Sequence, residues 1–98
     1  MRYSIVIPTL NEESTLGSNL KFLKSLKEKL EAEIIVVDGQ SCDKTKEIAR
    51  SITDKLYVVN PSRSSQLNKG IMHADGEYYI FLHDRHTVLL YSLNMEHL

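Results

Sequence analysis

An α/β fold, a mainly parallel open sheet flanked by helices, is predicted for this 98-residue chain by three features. Short apolar segments alternate with helix-period segments in the order β-α-β-α-β-α-β. The connections between them are short, and that order then implies right-handed crossovers and a mainly parallel sheet. The second strand segment is continuously apolar between two acids, as expected of a strand covered on both faces. With 42% hydrophobic and 26% charged residues the chain reads as one soluble globular domain, residues 1–98, too short to bury two cores.

The first strand is Tyr3-Ser4-Ile5-Val6-Ile7, rich in β-branched residues and expected to stop at Pro8, which lacks the N–H of a continuing ladder. Leu16, Leu20, Leu23, Leu26 and Leu30 follow at spacings of 4, 3, 3 and 4, one face of an amphipathic helix. Asn11 stands as its N-cap, with Glu12 and Glu13 in the first turn, where exposed N–H groups favour negative charge. Ile34 to Val37, between Glu33 and Asp38, forms strand two. Ile48, Ala49 and Ile52 mark a second helix, and Leu56-Tyr57-Val58-Val59 a third strand ended by Asn60-Pro61. Leu67, Ile71 and Ala74 mark a third helix, stopped by Asp75-Gly76, and Tyr78 to Leu82 is strand four. Thr87 to Leu98 is apolar for a terminus and is expected to form a short helix packed on the sheet or on a second chain. No internal repeat or linker interrupts the chain.

Charge excludes some partners. With 12 Lys+Arg against 13 Asp+Glu, a net charge of −1, there is no basic surplus to attract nucleic acid or an anionic membrane. No apolar run approaches the ~20 residues of a membrane-spanning helix. The amino terminus passes straight into a strand without a signal-peptide pattern, and Cys42 is the single cysteine, so a cytoplasmic location is expected.

In open parallel sheets ligands bind beyond the carboxyl ends of the strands. The loops there are Pro8 to Glu12, Asp38 to Asp43, Pro61 to Ser64 and His83 to His86. Neither a Gly-x-Gly-x-x-Gly turn nor a P-loop occurs in them. A phospho-acceptor receiver domain is also excluded, since Asn60-Pro61 follows strand three where an acceptor Asp is needed. Cys42 has no assignable base to activate it as a nucleophile, and His73 and His97 receive no role.

Four blocks carry a resemblance. They are Ile5-Val6-Ile7-Pro8-Thr9-Leu10-Asn11-Glu12-Glu13; Ile35-Val36-Val37-Asp38-Gly39-Gln40-Ser41-Cys42-Asp43-Lys44-Thr45; Gln66-Leu67-Asn68-Lys69-Gly70; and Gly76-Glu77-Tyr78-Tyr79-Ile80-Phe81-Leu82-His83. In this order and spacing the chain resembles family 2 glycosyltransferases, whose GT-A fold is Rossmann-like and whose N-terminal half binds a nucleotide-sugar. The Asp-Gly-x-Ser-x-Asp-x-Thr block looks most like the small bacterial arsenosugar-type branch. The resemblance covers residues 3–84, the nucleotide-sugar-binding half.

The resemblance implies roles residue by residue. Pro8 and Thr9 match the floor of the base pocket. Glu12 matches an acid contacting the nucleoside, and a carboxylate suits paired ribose hydroxyls or a base N–H. Asp38 matches the acid that reads the base edge, and Gly39 allows close backbone approach. Arg63 and Asn68 match polar positions near the diphosphate, which a guanidinium binds well. Gly70 matches the small residue of an Asn-x-Gly turn. The family places Asp-x-Asp after strand four, or His-Ala-Asp in this branch, to hold Mg²⁺ or Mn²⁺ on the diphosphate. Here the text is His83-Asp84-Arg85-His86, so Asp84, one position early, is the metal candidate. Residues 85–98 form a divergent apolar tail, and no catalytic base can be named. The expectation is a glycosyltransferase truncated to its donor-binding half. The alternative is a non-catalytic nucleotide-binding or interaction module derived from that fold. The open edges of a four-stranded sheet and the apolar tail predict a homo-oligomer.

Overall fold

The computed structural model describes residues 3–83 and 87–92. The chain runs β1 (Tyr3–Thr9), α1 (Glu13–Ser18), α2 (Leu20–Leu30), β2 (Ala32–Asp38), α3 (Thr45–Arg50), β3 (Lys55–Val58), α4 (Arg63–Met72), β4 (Tyr78–His83) and β5 (Thr87–Ser92). The sheet order is β3-β2-β1-β4-β5. β1 pairs in parallel with β2 and β4, and β2 with β3, while β5 runs antiparallel to β4. The fold is the α/β class that the alternation predicts.

Alternation of side chains sorts the core into two layers. Ile5, Ile7, Ile34, Val36, Ile80 and Leu82 face Leu16, Leu20, Leu23, Leu26 and Leu30 of α1 and α2, with Ile48 and Ala49 of α3. Val6, Ile35, Val37, Tyr79 and Phe81 face Leu67 and Ile71 of α4. All seven residues of β2 are buried, which explains its unbroken apolar text. Gly70 lets α4 approach the sheet closely: a Cβ there would lie 2.4 Å from Val6 Cγ1.

The amino edge of the sheet holds a polar anchor. Glu33, 1% exposed, accepts from Ser4 Oγ and from the Asp75 N–H, both at 2.6 Å. Lys55 Nζ lies 3.0 Å from Glu33 Oε1 and 2.8 Å from Asp75 Oδ2. Gly76 N–H donates to Ser4 Oγ at 2.8 Å. This cluster ties the α4–β4 turn to β1 and β2, far from the carboxyl edge.

Four expectations are corrected. β1 does not stop at Ile7: Pro8 pairs with Val37 and Thr9 with Asp38. Pairing between β1 and β4 ends at Val6, so beyond it β1 is a one-sided strand, where proline is tolerated. Asn11 is not the N-cap. It sits at φ 51° outside the helix, and Glu12 takes the cap position without a side-chain cap bond. The single leucine-striped helix is two, broken at Asn19, which closes α1 and opens α2. The carboxyl-terminal helix is a strand over its described part, because β5 completes the open edge of β4 along Tyr78 to His83. Among the described residues the sheet therefore has five strands. Residues 93–98 lie outside the described residues.

Candidate functional site

The register that pairs Thr9 with Asp38 brings the two strand ends level, with both side chains on the face covered by α1 to α3. Asp38 is 0% exposed. Its Oδ1 accepts from Thr9 Oγ1 at 2.7 Å and Ser41 Oγ at 2.5 Å, and its Oδ2 from Ser41 N–H at 2.7 Å. A buried carboxylate needs such donors, since burial without them is costly. Ser41 Oγ in turn accepts from Asn11 N–H at 2.9 Å, so the relay runs from the β1 loop through Ser41 to Asp38.

A second set of contacts locks the helix starts together. Glu12 N–H donates to Thr45 Oγ1 at 2.8 Å and Glu13 N–H to Asp43 Oδ2 at 3.2 Å. Lys44 N–H donates to Glu13 Oε1 at 3.0 Å, so each helix start receives a carboxylate from the other. Asp43 also accepts from the hydroxyl and N–H of Thr45. The Thr45 hydroxyl, followed by its N–H and that of Glu13, holds the Asp43 carboxyl below its ordinary range against burial. Asn11 Oδ1 accepts from Cys42 N–H at 2.7 Å. Gln40, at φ 66°, donates to Asn60 Oδ1 at 3.1 Å. The loops after β1, β2 and β3 are thus stitched into one rim.

Beside this rim a cavity of about 310 Å³ is lined by Pro8, Thr9, Leu10, Glu12, Pro61, Ser62, Arg63 and Gln66, within the size range of small-molecule sites. A second, mostly apolar hollow of about 40 Å³ shares Pro8, Thr9 and Glu12 and is backed by Leu16, Leu23 and Leu82. It has room for a few waters at most. Both lie at the carboxyl end of β1, from which the chain turns to β2 on one side while β4 pairs on the other, the switch point where open sheets bind ligands.

The structure gathers Pro8, Thr9, Glu12 and Arg63 on one cavity wall set. Asp38 lies behind Thr9, and Gly39 packs on Pro61, where an added Cβ would stand 3.0 Å from Pro61 Cα. Asn68 is exposed on α4, two residues past the last α4 residue lining the cavity. Gly70, expected in an Asn-x-Gly turn, instead lies inside α4, buried against Val6 and Val37 where the helix packs on the sheet. Asp84 lies outside the described residues. Among the described residues no three His, Cys, Asp or Glu side chains gather as a metal site, and no helix is long and apolar enough to cross a membrane.

Sequence reasoning passed over Ser41, Asp43, Thr45 and Gln66. The first three sit in the Asp-Gly-x-Ser-x-Asp-x-Thr block, whose short polar side chains are suited to bonding nearby backbone. Gln66 opens the third block, which assigns it no role of its own. It is 6% exposed, and its Nε2 donates to Thr9 O and Val37 O, each at 2.9 Å.

Comparison with known proteins agrees with this fold. The chain is 34% identical over 89 residues to the succinoglycan biosynthesis protein ExoA of Rhizobium meliloti, covering 84% of this chain and 27% of that protein. It is 32% identical over 88 residues to a dolichol-phosphate mannosyltransferase of Pyrococcus furiosus, covering 84% of this chain and 25% of that one. The chain therefore spans about a quarter of the length of these curated relatives. Among solved structures it is similar to S. aureus TarS 1-349 in complex with UDP-GlcNAc, with TM-score 0.69 and 28% identity over 85% of this chain and 26% of that one. It is also similar to glucosyl-3-phosphoglycerate synthase from Mycobacterium tuberculosis in complex with Mn²⁺, UDP and glucosyl-3-phosphoglycerate, with TM-score 0.71 and 26% identity over 85% of this chain and 33% of that one. The sequence model of one family, described as Glycosyl transferase family 2, matches residues 4–92, and the chain belongs to that family.

Proposed function

We propose that this chain forms the donor-binding part of a glycosyltransferase that uses a nucleoside diphosphate sugar. The observation that carries the reading is the cavity of about 310 Å³ that places Glu12 and Arg63 around Pro8 and Thr9 at the switch point. In it, Pro8 and Thr9 form the floor. Glu12 accepts hydrogen bonds from the nucleoside, and Arg63 faces the diphosphate, a pairing suited to its planar fork. Asn68, exposed on the same helix, contributes at the outer end of that subsite.

Asp38 and Gly39 govern the base end. Thr9 and Ser41 supply three hydrogen bonds to Asp38, and since an ionised carboxylate offers about four acceptor sites, one on Oδ2 is left for a base edge. Gly70 serves the site indirectly, by letting α4 close on Val6. The UDP and Mn²⁺ of the solved relatives support a divalent cation beside the diphosphate, and Asp84 is the residue proposed to hold Mg²⁺ or Mn²⁺. Such a cation would offset charge on the leaving diphosphate.

Calorimetric titration with UDP and with GDP, each with and without Mn²⁺, tests the reading. Binding of at least one diphosphate is expected, with Arg63→Ala weakening it about tenfold or more, the worth of one charge-assisted bond. Failure of both diphosphates under both conditions refutes it.

A further inference from the structure

Gln66 stands out as a buried polar side chain that the site roles above leave unassigned. Both of its amide hydrogens go to main-chain carbonyls, Thr9 O at the end of β1 and Val37 O one residue before the end of β2. The helix that carries it otherwise meets the sheet through Leu67 and Ile71 and the close approach at Gly70. The apolar driving force is non-directional, and side-chain fit alone leaves a range of angles at such a contact. Two hydrogen bonds with good geometry select within that range.

The anchor sits one helical turn from Arg63, the first residue of α4, and Ser62 caps that turn by accepting from Ser65 N–H at 3.1 Å. Residues three apart share a helix face, and Ser62, Arg63 and Gln66 all line the same cavity. The strand ends themselves have a separate hold on the opposite face, where Thr9, Ser41 and Asp38 bond one another. Loss of the Gln66 bonds therefore frees the start of α4 and leaves the Thr9–Asp38 end in place.

We infer that Gln66 is a positioning residue for the diphosphate end of the site: it pins the first turn of α4 to both strand ends and so sets Arg63 over the cavity. This rests on the donor-binding reading above and adds a residue to it. Since its N–H groups are committed to backbone, its effect on a phosphate acts through Arg63.

The test compares UDP with uridine on the full chain. In Gln66→Met, which keeps the bulk and removes the donors, UDP affinity is expected to fall about tenfold while uridine affinity changes less than about twofold. In an Arg63→Ala background the same substitution is expected to change UDP affinity less than about twofold, since the two residues act as one unit. Equal losses for UDP and uridine, additive losses in the double variant, or no loss at all would overturn the inference while the donor reading stands. A parent chain that binds neither UDP nor GDP removes the donor reading itself. Should Gln66→Met fail to fold, nuclear magnetic resonance of the parent decides. Slow exchange of the Gln66 side-chain amide, with a shift on adding UDP and none on adding uridine, is expected, and exchange at the rate of a free amide overturns the inference.

Discussion

At Gly70 one missing methyl group decides how closely a helix meets a sheet. A Cβ would fall 2.4 Å from Val6 Cγ1 and 3.4 Å from Val37 Cγ2, and both valines are fully buried in β1 and β2. Neither can move without disturbing the strand that carries it. Gly70→Ala is expected to lower stability by about 1–3 kcal/mol, the usual cost of overpacking, read as a drop in the denaturation midpoint. The same residue matched a ligand-proximal turn by sequence, so a second readout separates the roles: a packing effect lowers stability and weakens UDP through displacement of α4, in proportion to that displacement. Asp38 shows the reverse case. Its type and place at a strand end were legible, but the donors that surround it come from residues 29 positions away in Thr9 and 3 away in Ser41, and only the β1–β2 register brings the distant one into reach.

Among the elements, the α4–β4 connection depends on a buried acid. Glu33 in β2 accepts from Ser4 and Asp75, and Lys55 of β3 lies beside it. Glu33→Ala would leave Ser4 Oγ and the Asp75 N–H without their acceptor while Lys55 keeps Asp75, and is expected to cost about 1–3 kcal/mol for each buried donor left unpaired. Thermal unfolding checks the loss. If the variant folds, its affinity for UDP should match the parent, because the cluster sits at the amino edge, opposite the cavity. In the sequence Glu33 reads only as an acid bounding a strand. Its burial became visible once Ser4, Lys55 and Asp75 were assembled around it. The leucine stripe was fully legible as a core face, whereas its division at Asn19 was not, since the hydrophobic period continues across the break.

For the whole molecule, titration of the anchors sets the pH range of stability. Lys55 holds Asp75 below its ordinary value. The Thr45 hydroxyl does the same for Asp43. At Asp54 burial pushes upward, but the Lys27 ion pair and the Ile34 N–H outweigh it. A depressed carboxyl contributes stability above its unfolded pKa and loses it as pH falls through the folded one. Asp75, opposed by burial at Lys55 itself, raises the Lys55 ammonium together with Glu33. That contribution is complete below the ordinary lysine value of 10.5 and is lost as pH rises through the folded one. Through these groups denaturant midpoints are therefore expected to fall below about 3.8 and to fall again above 10.5. A midpoint that stayed level below about 3.8 and above 10.5 would contradict these assignments. At the sheet edge, β3 bears the half-exposed Val58 and pairs on one side with β2, the kind of edge that recruits a further strand. We propose self-association there, and light scattering at ~100 µM, above the usual range for weak dimers, should give more than the monomer mass.

The sequence by itself determined the layer architecture, the identity of the strands from Tyr3 to Leu82, the edge of the sheet that carries the candidate site and the loops that line it. It could do so because periodicity, capping chemistry and turn residues are local, and each is written within a few neighbouring positions. Tertiary structure decided the rest: the continuation of β1 through Pro8 once β4 no longer pairs with it, the fifth strand in place of a helix, the burial of Asp38 and Glu33, and the reach of Gln66 to two strand ends. Those outcomes depend on which strand lies beside which and in what register. Most of them are set by residues far apart in the chain, 29 positions for Thr9 and Asp38 and 57 for Gln66 and Thr9, while the fifth strand forms by pairing back on β4, His83 with Thr87.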